Sequence, residues 1–292
     1  MKELKIITHD GKFHADEVCA IATLNILYPK IQIIRTRDES LFSSADFIVD
    51  IGRKFSPKKN YFDHHQLNFK EIRENGIPYA SFGLIWKYFG KKLIENEKEF
   101  LEFDKKIVQF IDGYDSGSEI IKDNLQIFSL SRIIANFNPI IEKNENGDEC
   151  FLKAVNFVKQ ILERTIEKYN LISESRKIIE EEIKKTKKNY LILPREGLNW
   201  EKTLLDYPHF KFVIFPTPVE WKSYGVFKNE FSFERRKDFP KNWAGLEKNE
   251  LEKASGVKGA IFCHKKRFIC TANSKEAIIE LTKKAIGVKN ED

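Results

Sequence analysis

Four short apolar runs in the first quarter of this 292-residue chain each end on a group that carries chemistry. Leu4-Lys-Ile-Ile7 runs into Thr8-His9-Asp10-Gly11, and Ile31-Gln-Ile-Ile34 into Arg35-Thr36-Arg37. Asp46-Phe-Ile-Val-Asp-Ile51 carries Asp50 at its end, and Tyr61-Phe62 leads into Asp63-His64-His65. Short apolar stretches closed by turn residues are the pattern of buried strands. Between the first two runs, Ala15 to Tyr28 puts Val18, Ala22, Ile26 and Leu27 on one helical face. Asp16 and Glu17 fall in its first turn, where the helix dipole favours anions. Strands alternating with helical segments predict an α/β domain on a parallel sheet. Ligands bind such sheets at the carboxyl edge of the strands. His9, Arg35 with Arg37, Asp50 and His64 are therefore expected to converge on one crevice.

From Pro78 the pattern turns helical, over Ala80 to Phe89 and Phe100 to Phe110. The acidic, glycine-bearing Ile111 to Gly117 is expected to be a loop, as is Asn144 to Glu149. Phe151, Val155, Val158, Leu162, Ile166 and Tyr169 step by three or four, predicting a long amphipathic helix from Phe151 to Lys187. Beyond it the runs Tyr190 to Leu193, Phe212 to Phe215, Tyr224 to Phe227 and Phe231 to Phe233 predict strands. A short helix is expected over Leu246 to Lys253. Ala260 to His264 and Arg267 to Thr271 predict a hairpin, and Ser274 caps a last helix. The expected organisation is a catalytic domain over 1–150, a connecting helix over 151–188 and a smaller mixed-sheet α/β substrate domain over 189–292.

The formal charge of +6 suits an anionic substrate without establishing nucleic-acid binding. Cys19, Cys150, Cys263 and Cys270 form no C-x-x-C pair, which argues against a zinc finger and fits an intracellular protein with free thiols. No apolar run approaches membrane-spanning length. The first residues enter a strand pattern at once, so the cytoplasm is the expected location.

Four of the six histidines precede position 66, among aspartates. Imidazole with carboxylate suits Mn²⁺ or another transition metal better than Ca²⁺. Each cluster also has a plainer reading. His9, His14 and Asp16 make a turn and a helix start. Asp63-His64-His65 makes a polar turn, although adjacent histidines favour a functional role. Asp50 ends an apolar strand, where a carboxylate is costly unless paired or metal-bound; its central position would let it bridge two metals. Asp112 and Asp115 serve equally as ligands or as an acidic loop. Two metals about 3.5–4 Å apart would polarise a phosphoryl group and supply a hydroxide nucleophile near neutral pH. Arg35, Arg37, Arg235 and Arg236 would clamp anionic oxygens. For each of them singly, solvated surface charge competes. His264 is a substrate contact or a hairpin residue.

Thr8-His-Asp-Gly-Lys-Phe-His-Ala-Asp-Glu17, Arg35-Thr-Arg-Asp38, Ile48-Val-Asp50, Tyr61-Phe-Asp-His-His-Gln66 and Ile111-Asp-Gly-Tyr-Asp115 occur in one order. Phe239-Pro-Lys-Asn-Trp-Ala-Gly-Leu246 and Ser255-Gly-Val-Lys-Gly-Ala-Ile-Phe-Cys-His264 follow them. Over nearly its whole length the chain resembles the MYG1 family (UPF0160), itself similar to the DHH phosphoesterases. The resemblance implies a DHH-type N-terminal domain, a helical connection, a C-terminal substrate domain and an active site in the cleft between them. It implies metal-dependent phosphodiester hydrolysis, as in eukaryotic members regarded as nuclear and mitochondrial 3′–5′ RNA exonucleases. By position, His9, His14 and Asp50 would hold one metal, and Asp16, Asp50, His64 and an aspartate of the 112–115 segment the other, with Asp115 preferred to Asp112. His65 would face the scissile phosphate, and Asp63 would orient the histidines. General DHH enzymes carry Asp-x-Asp where this chain has His14-Ala15-Asp16, which softens the first site. The expected cofactor is two Mn²⁺, ahead of Mg²⁺ or a softer metal. The expected activity is 3′–5′ exonucleolysis of RNA or short oligonucleotides by a two-metal-activated water, and a homo-oligomer is among the expected partners. The alternatives are a small-molecule phosphohydrolase acting on pyrophosphate, a nucleotide or a cyclic dinucleotide, and a metal-containing binding protein without turnover.

Overall fold

The computed structural model describes residues 3–118, 129–230 and 232–287, in two compact units, Met1–Asn170 and Leu171–Asp292. In the first unit β1 (Leu4–Thr8), β2 (Ile31–Arg35), β3 (Phe47–Val49), β4 (Phe55–Ser56) and β5 (Tyr61–Phe62) form one sheet in the order β2-β1-β3-β5-β4. Its first four members are parallel, and the two-residue β4 runs antiparallel along the edge. The apolar runs are short because the sheet is covered on both sides. Side chains alternate across it: Ile6, Phe47, Val49 and Phe62 enter the main core, while Ile7 and Ile48 meet Phe42 and Ile51 on the other face.

Helix α1 (Ala15–Leu27) returns the chain from β1 to β2 and is buried from Ala15 to Leu24. His14 caps it and its amide donates to the Glu17 carboxylate at 2.8 Å, a reciprocal capping box that fixes where the helix begins. Helices α2 (Ser81–Phe89), α3 (Glu97–Phe103), α4 (Gln109–Asp115) and α5 (Leu130–Ala135) complete the layer. The expected loop over 111–117 is helical as far as Asp115. Burial of Val108 and Ile111 holds this turn against the core, and Asp112 is tied to a neighbouring helix. One π turn at Asp104–Val108 joins α3 to α4.

Helix α6 (Gly147–Lys184) starts earlier than its apolar stripe suggests and stops three residues sooner. The Asn146 side chain caps it by accepting from the amides of Asp148 and Glu149 at 2.9 and 3.1 Å, so the glycine at 147 opens a helix instead of continuing a loop. Phe151, Val155, Val158, Leu162, Ile166 and Tyr169 are buried in the first unit's core. The boundary between units thus falls inside α6, not at its ends.

The second unit adds β6 (Tyr190–Ile192), α7 (Trp200–Leu205), β7 (Phe212–Pro216), β8 (Trp221–Gly225), α8 (Lys248–Ser255), β9 (Ala260–Cys263), β10 (Ile269–Ala272) and α9 (Lys275–Gly287). Its sheet has the order β6-β7-β8-β10-β9, with only β6 and β7 parallel. Ser232 and Phe233 lie outside any strand, and Phe231 lies outside the described residues. Arg236, expected at a substrate, is committed to the fold. Its guanidinium donates to the carbonyls of Leu204 (2.8 Å), Tyr207 (2.8 Å) and Phe210 (3.1 Å), closing the end of α7. Arg236→Ala is expected to lower stability by about 2–3 kcal/mol, because it leaves these carbonyls without their donor. Urea unfolding measures this; an unchanged midpoint would dismiss the clamp.

Candidate metal centre and active site

Asp50 lies at the middle of the first unit's cluster. Its amide still donates to Phe62 at 3.0 Å in the ladder, but its φ of 59° turns the chain out of β3. A left-handed conformation costs a non-glycine residue on the order of 1–2 kcal/mol, so the packing around it imposes it. The result is a carboxylate only 3% exposed that meets three imidazoles. Oδ2 lies 3.4 Å from His9 Nε2, and Oδ1 lies 3.3 Å from His64 Nε2 and 3.5 Å from His65 Nδ1. Ser81, at the start of α2, donates to Oδ1 at 2.8 Å.

The remaining groups come from strand ends, the start of α1 and the end of α4. His9 follows β1; its Nδ1 lies 2.8 Å from the Asp10 carbonyl and its Nε2 3.1 Å from Glu17. His64 Nε2 lies 3.4 Å from Asp115 Oδ2 and 3.7 Å from Asp16 Oδ2. Asp63 accepts from the His65 amide (3.1 Å) and the Arg53 amide (2.5 Å), and its Oδ1 is 2.8 Å from His65 Nδ1. It therefore orients His65 alone.

The donor chemistry fits divalent cations. Both Asp16 oxygens and Glu17 Oε2 are sealed from solvent with no hydrogen-bond partner. Buried acceptors in that condition are costly without a cation. Candidate donor sets among the described residues are His9-His14-Glu17, His14-Asp16-Asp115, Asp50-His64-His65 and Asp16-Glu17-Asp50. Asp115 belongs to this cluster and Asp112 does not. Asp112 instead accepts from the Gly83 amide at 2.9 Å and pairs with Arg73 at 2.8 Å; burial, partly offset by Arg73, pushes its carboxyl up to about 7. Glu17 and Ser81 escaped sequence reasoning. Glu17 passes for a dipole-favoured helix acid, and the partner of Ser81 is distant in sequence.

Burial alone would lower the pKa of His9, but hydrogen bonds to Asp50 and Glu17 carry it to about 10. Burial, then the charges of Asp50 and Asp115, raises Asp16 well above the carboxylate range. Without metal, protons supply the positive charge of the site. The His9 contribution to stability is complete below its unfolded value of about 6.5 and is lost as pH rises through about 10. The metal-free protein is expected to lose thermal stability over that window. Mn²⁺ binding displaces protons, so the Tm increase it gives should grow from pH 6.5 to 9. A constant or shrinking increase would contradict this electrostatic account.

His9, His14, Asp50, Asp63 and His65 line an open cavity of ≈ 820 Å³ with Lys12, Arg37 and Arg53. Arg37, 66% exposed in its side chain, leans on Asp10 at 3.0 Å. Arg35 does not share this exposure. It is packed near the rings of Phe13 and Phe151 and donates to the Gly11 carbonyl at 2.6 Å. In the second unit His264 belongs to the β9–β10 turn, its Nδ1 accepting from the Lys266 amide at 3.0 Å.

The family model MYG1_exonuc, described as Uncharacterised protein family (UPF0160), matches residues 5–286. The chain belongs to the MYG1 family. A MYG1 protein of Chlamydia pneumoniae is 33% identical to it over 92% of each chain. The MYG1 exonuclease of Mus musculus is 28% identical over 96% of this chain and 84% of its own. An exonuclease RecJ bound to manganese is 11% identical with a TM-score of 0.26, over 98% of this chain and 91% of that one. The match to the MYG1 family extends over residues of both units.

Proposed function

We propose that this MYG1-family hydrolase cleaves phosphodiester bonds with two divalent cations and shortens RNA or short oligonucleotides from the 3′ end. The observation that carries the reading is the division of Asp50. One oxygen faces His9 and the other faces His64, so a single buried carboxylate addresses two donor sets. His9, His14 and Asp50 would hold one cation; Asp16, Asp50, His64 and Asp115 would hold the other. Imidazole beside carboxylate favours Mn²⁺. When bound, such cations lower the pKa of water and offset charge on a phosphoryl oxygen. The chain's own residues do the rest. Ser81 fixes the Asp50 carboxylate. Asp63 holds His65, more than half exposed, and raises its pKa, so that in the protonated ring the second N–H is available to a phosphate oxygen. Lys12, Arg37 and Arg53 give the cavity a cationic rim for the backbone.

The test is end-labelled RNA with Mn²⁺. Wild-type protein should release mononucleotides progressively from the 3′ end, and His64→Ala should not. RNA left intact by the wild type, or cut equally by His64→Ala, would refute the proposal. Cleavage of pyrophosphate without cleavage of any oligonucleotide would replace it with small-molecule phosphohydrolysis.

A further inference from the structure

The second unit holds a cavity of ≈ 420 Å³ with an aromatic wall. Trp200 comes from α7, Phe215 from β7, Tyr224 from β8 and Phe227 from the segment that follows. They form two near-parallel pairs: Phe215 with Tyr224 at 5.6 Å and 11°, and Trp200 with Phe227 at 6.3 Å and 19°. Arg235 lines the same cavity, its guanidinium 3.4 Å from the Phe227 centroid and 5.3 Å from that of Phe268. Its Nε and Nη1 are sealed from solvent and have no hydrogen-bond partner. Rings fix the cation, yet two of its donor nitrogens are unused.

The charges around the cavity argue for a particular ligand. Lys222 and Arg235 are balanced by Glu196 and Glu201. A bare anion would gain little from so mixed a lining. A flat heteroaromatic ring with donors and acceptors on its edge would gain from all of it. It can stack on the aromatic wall, accept from a guanidinium and donate to a carboxylate.

We propose that this cavity seats the base of a single-stranded nucleotide, stacked on the aromatic wall with Arg235 donating to its edge. The proposal rests on the nuclease reading, whose substrate would present such bases, but its test is binding without turnover. In metal-free buffer the full-length protein is titrated with AMP, CMP, GMP and UMP, and separately with ribose 5-phosphate and inorganic phosphate, by calorimetry and saturation-transfer NMR. Nucleotides should bind, and ribose 5-phosphate at least about fivefold more weakly, the low end of what base stacking contributes. Arg235→Met keeps the bulk against Phe227 and should weaken nucleotide binding at least about fivefold, with melting temperature and metal content unchanged. Ribose 5-phosphate or phosphate binding as tightly as the nucleotides would overturn the base seat, as would wild-type affinity in Arg235→Met. RNA cleavage run in parallel separates the two readings. Cleavage without nucleotide binding removes the seat alone, whereas Arg235-dependent binding without cleavage of any nucleic acid supports the seat and removes the nuclease.

Discussion

Asp50→Asn is expected to lower phosphodiester cleavage on the order of 10³-fold or more, since it removes the buried charge that lies beside His9, His64 and His65. Asparagine keeps the size of the side chain and an acceptor for Ser81, and it tolerates the left-handed backbone that Asp50 adopts at φ 59°. The fold should therefore survive, and circular dichroism should be unchanged. Bound metal, measured by plasma emission after dialysis, should fall together with activity. Asp63→Asn should be milder, on the order of 10–100-fold, because it acts only by orienting His65. A fully metallated and active Asp50→Asn variant would sink the central role given to this carboxylate.

Gly83→Ala is expected to be the most damaging single methyl added to the first unit. An alanine Cβ there would lie 1.8 Å from Asp112 Oδ2 and 2.7 Å from Arg73 Nη2. Neither can retreat cheaply. Asp112 is fully buried, and Arg73 is also held by Asp104 at 3.0 Å. The methyl must break the Arg73–Asp112 pair, and breaking a buried pair costs roughly 3–5 kcal/mol. For a protein of this size that is a fall in Tm of roughly 6–20 °C, taking about 2–4 °C per kcal/mol. Thermal melts of Gly83→Ala, Asp112→Ala and the double variant provide the check. The double variant should be more stable than the sum of the two losses predicts, because the clash vanishes with the carboxylate. Full additivity would refute the steric explanation.

The parallel sheet was legible because its strands are short apolar runs closed by polar turns, and the same pattern put His9, Asp50 and His64 at strand ends. What the sequence hid were partners brought together by tertiary packing. Arg35 and Arg37 look alike in sequence, but only Arg35 has Phe13 and Phe151 beside it. Asp112 and Asp115 share one helix and cannot be told apart by spacing. Arg73, far upstream, takes the first and leaves the second with His64. The aromatic cavity of the second unit was invisible for the same reason, since its four rings come from three stretches, at Trp200, at Phe215 and at Tyr224 to Phe227, that give no stacking pattern along the chain.

A protease seeking a loop between the two units would meet a continuous helix, because residues 170 and 171 both lie within α6. Cutting the gene at the expected boundary near residue 150 would strip Phe151, Val155, Val158, Leu162, Ile166 and Tyr169 from the first core. Each such side chain contributes roughly 1.5–3 kcal/mol on burial. The histidine–carboxylate cluster therefore cannot be excised as a free-standing 150-residue module, and a gene fusion that borrows it must carry the helix along.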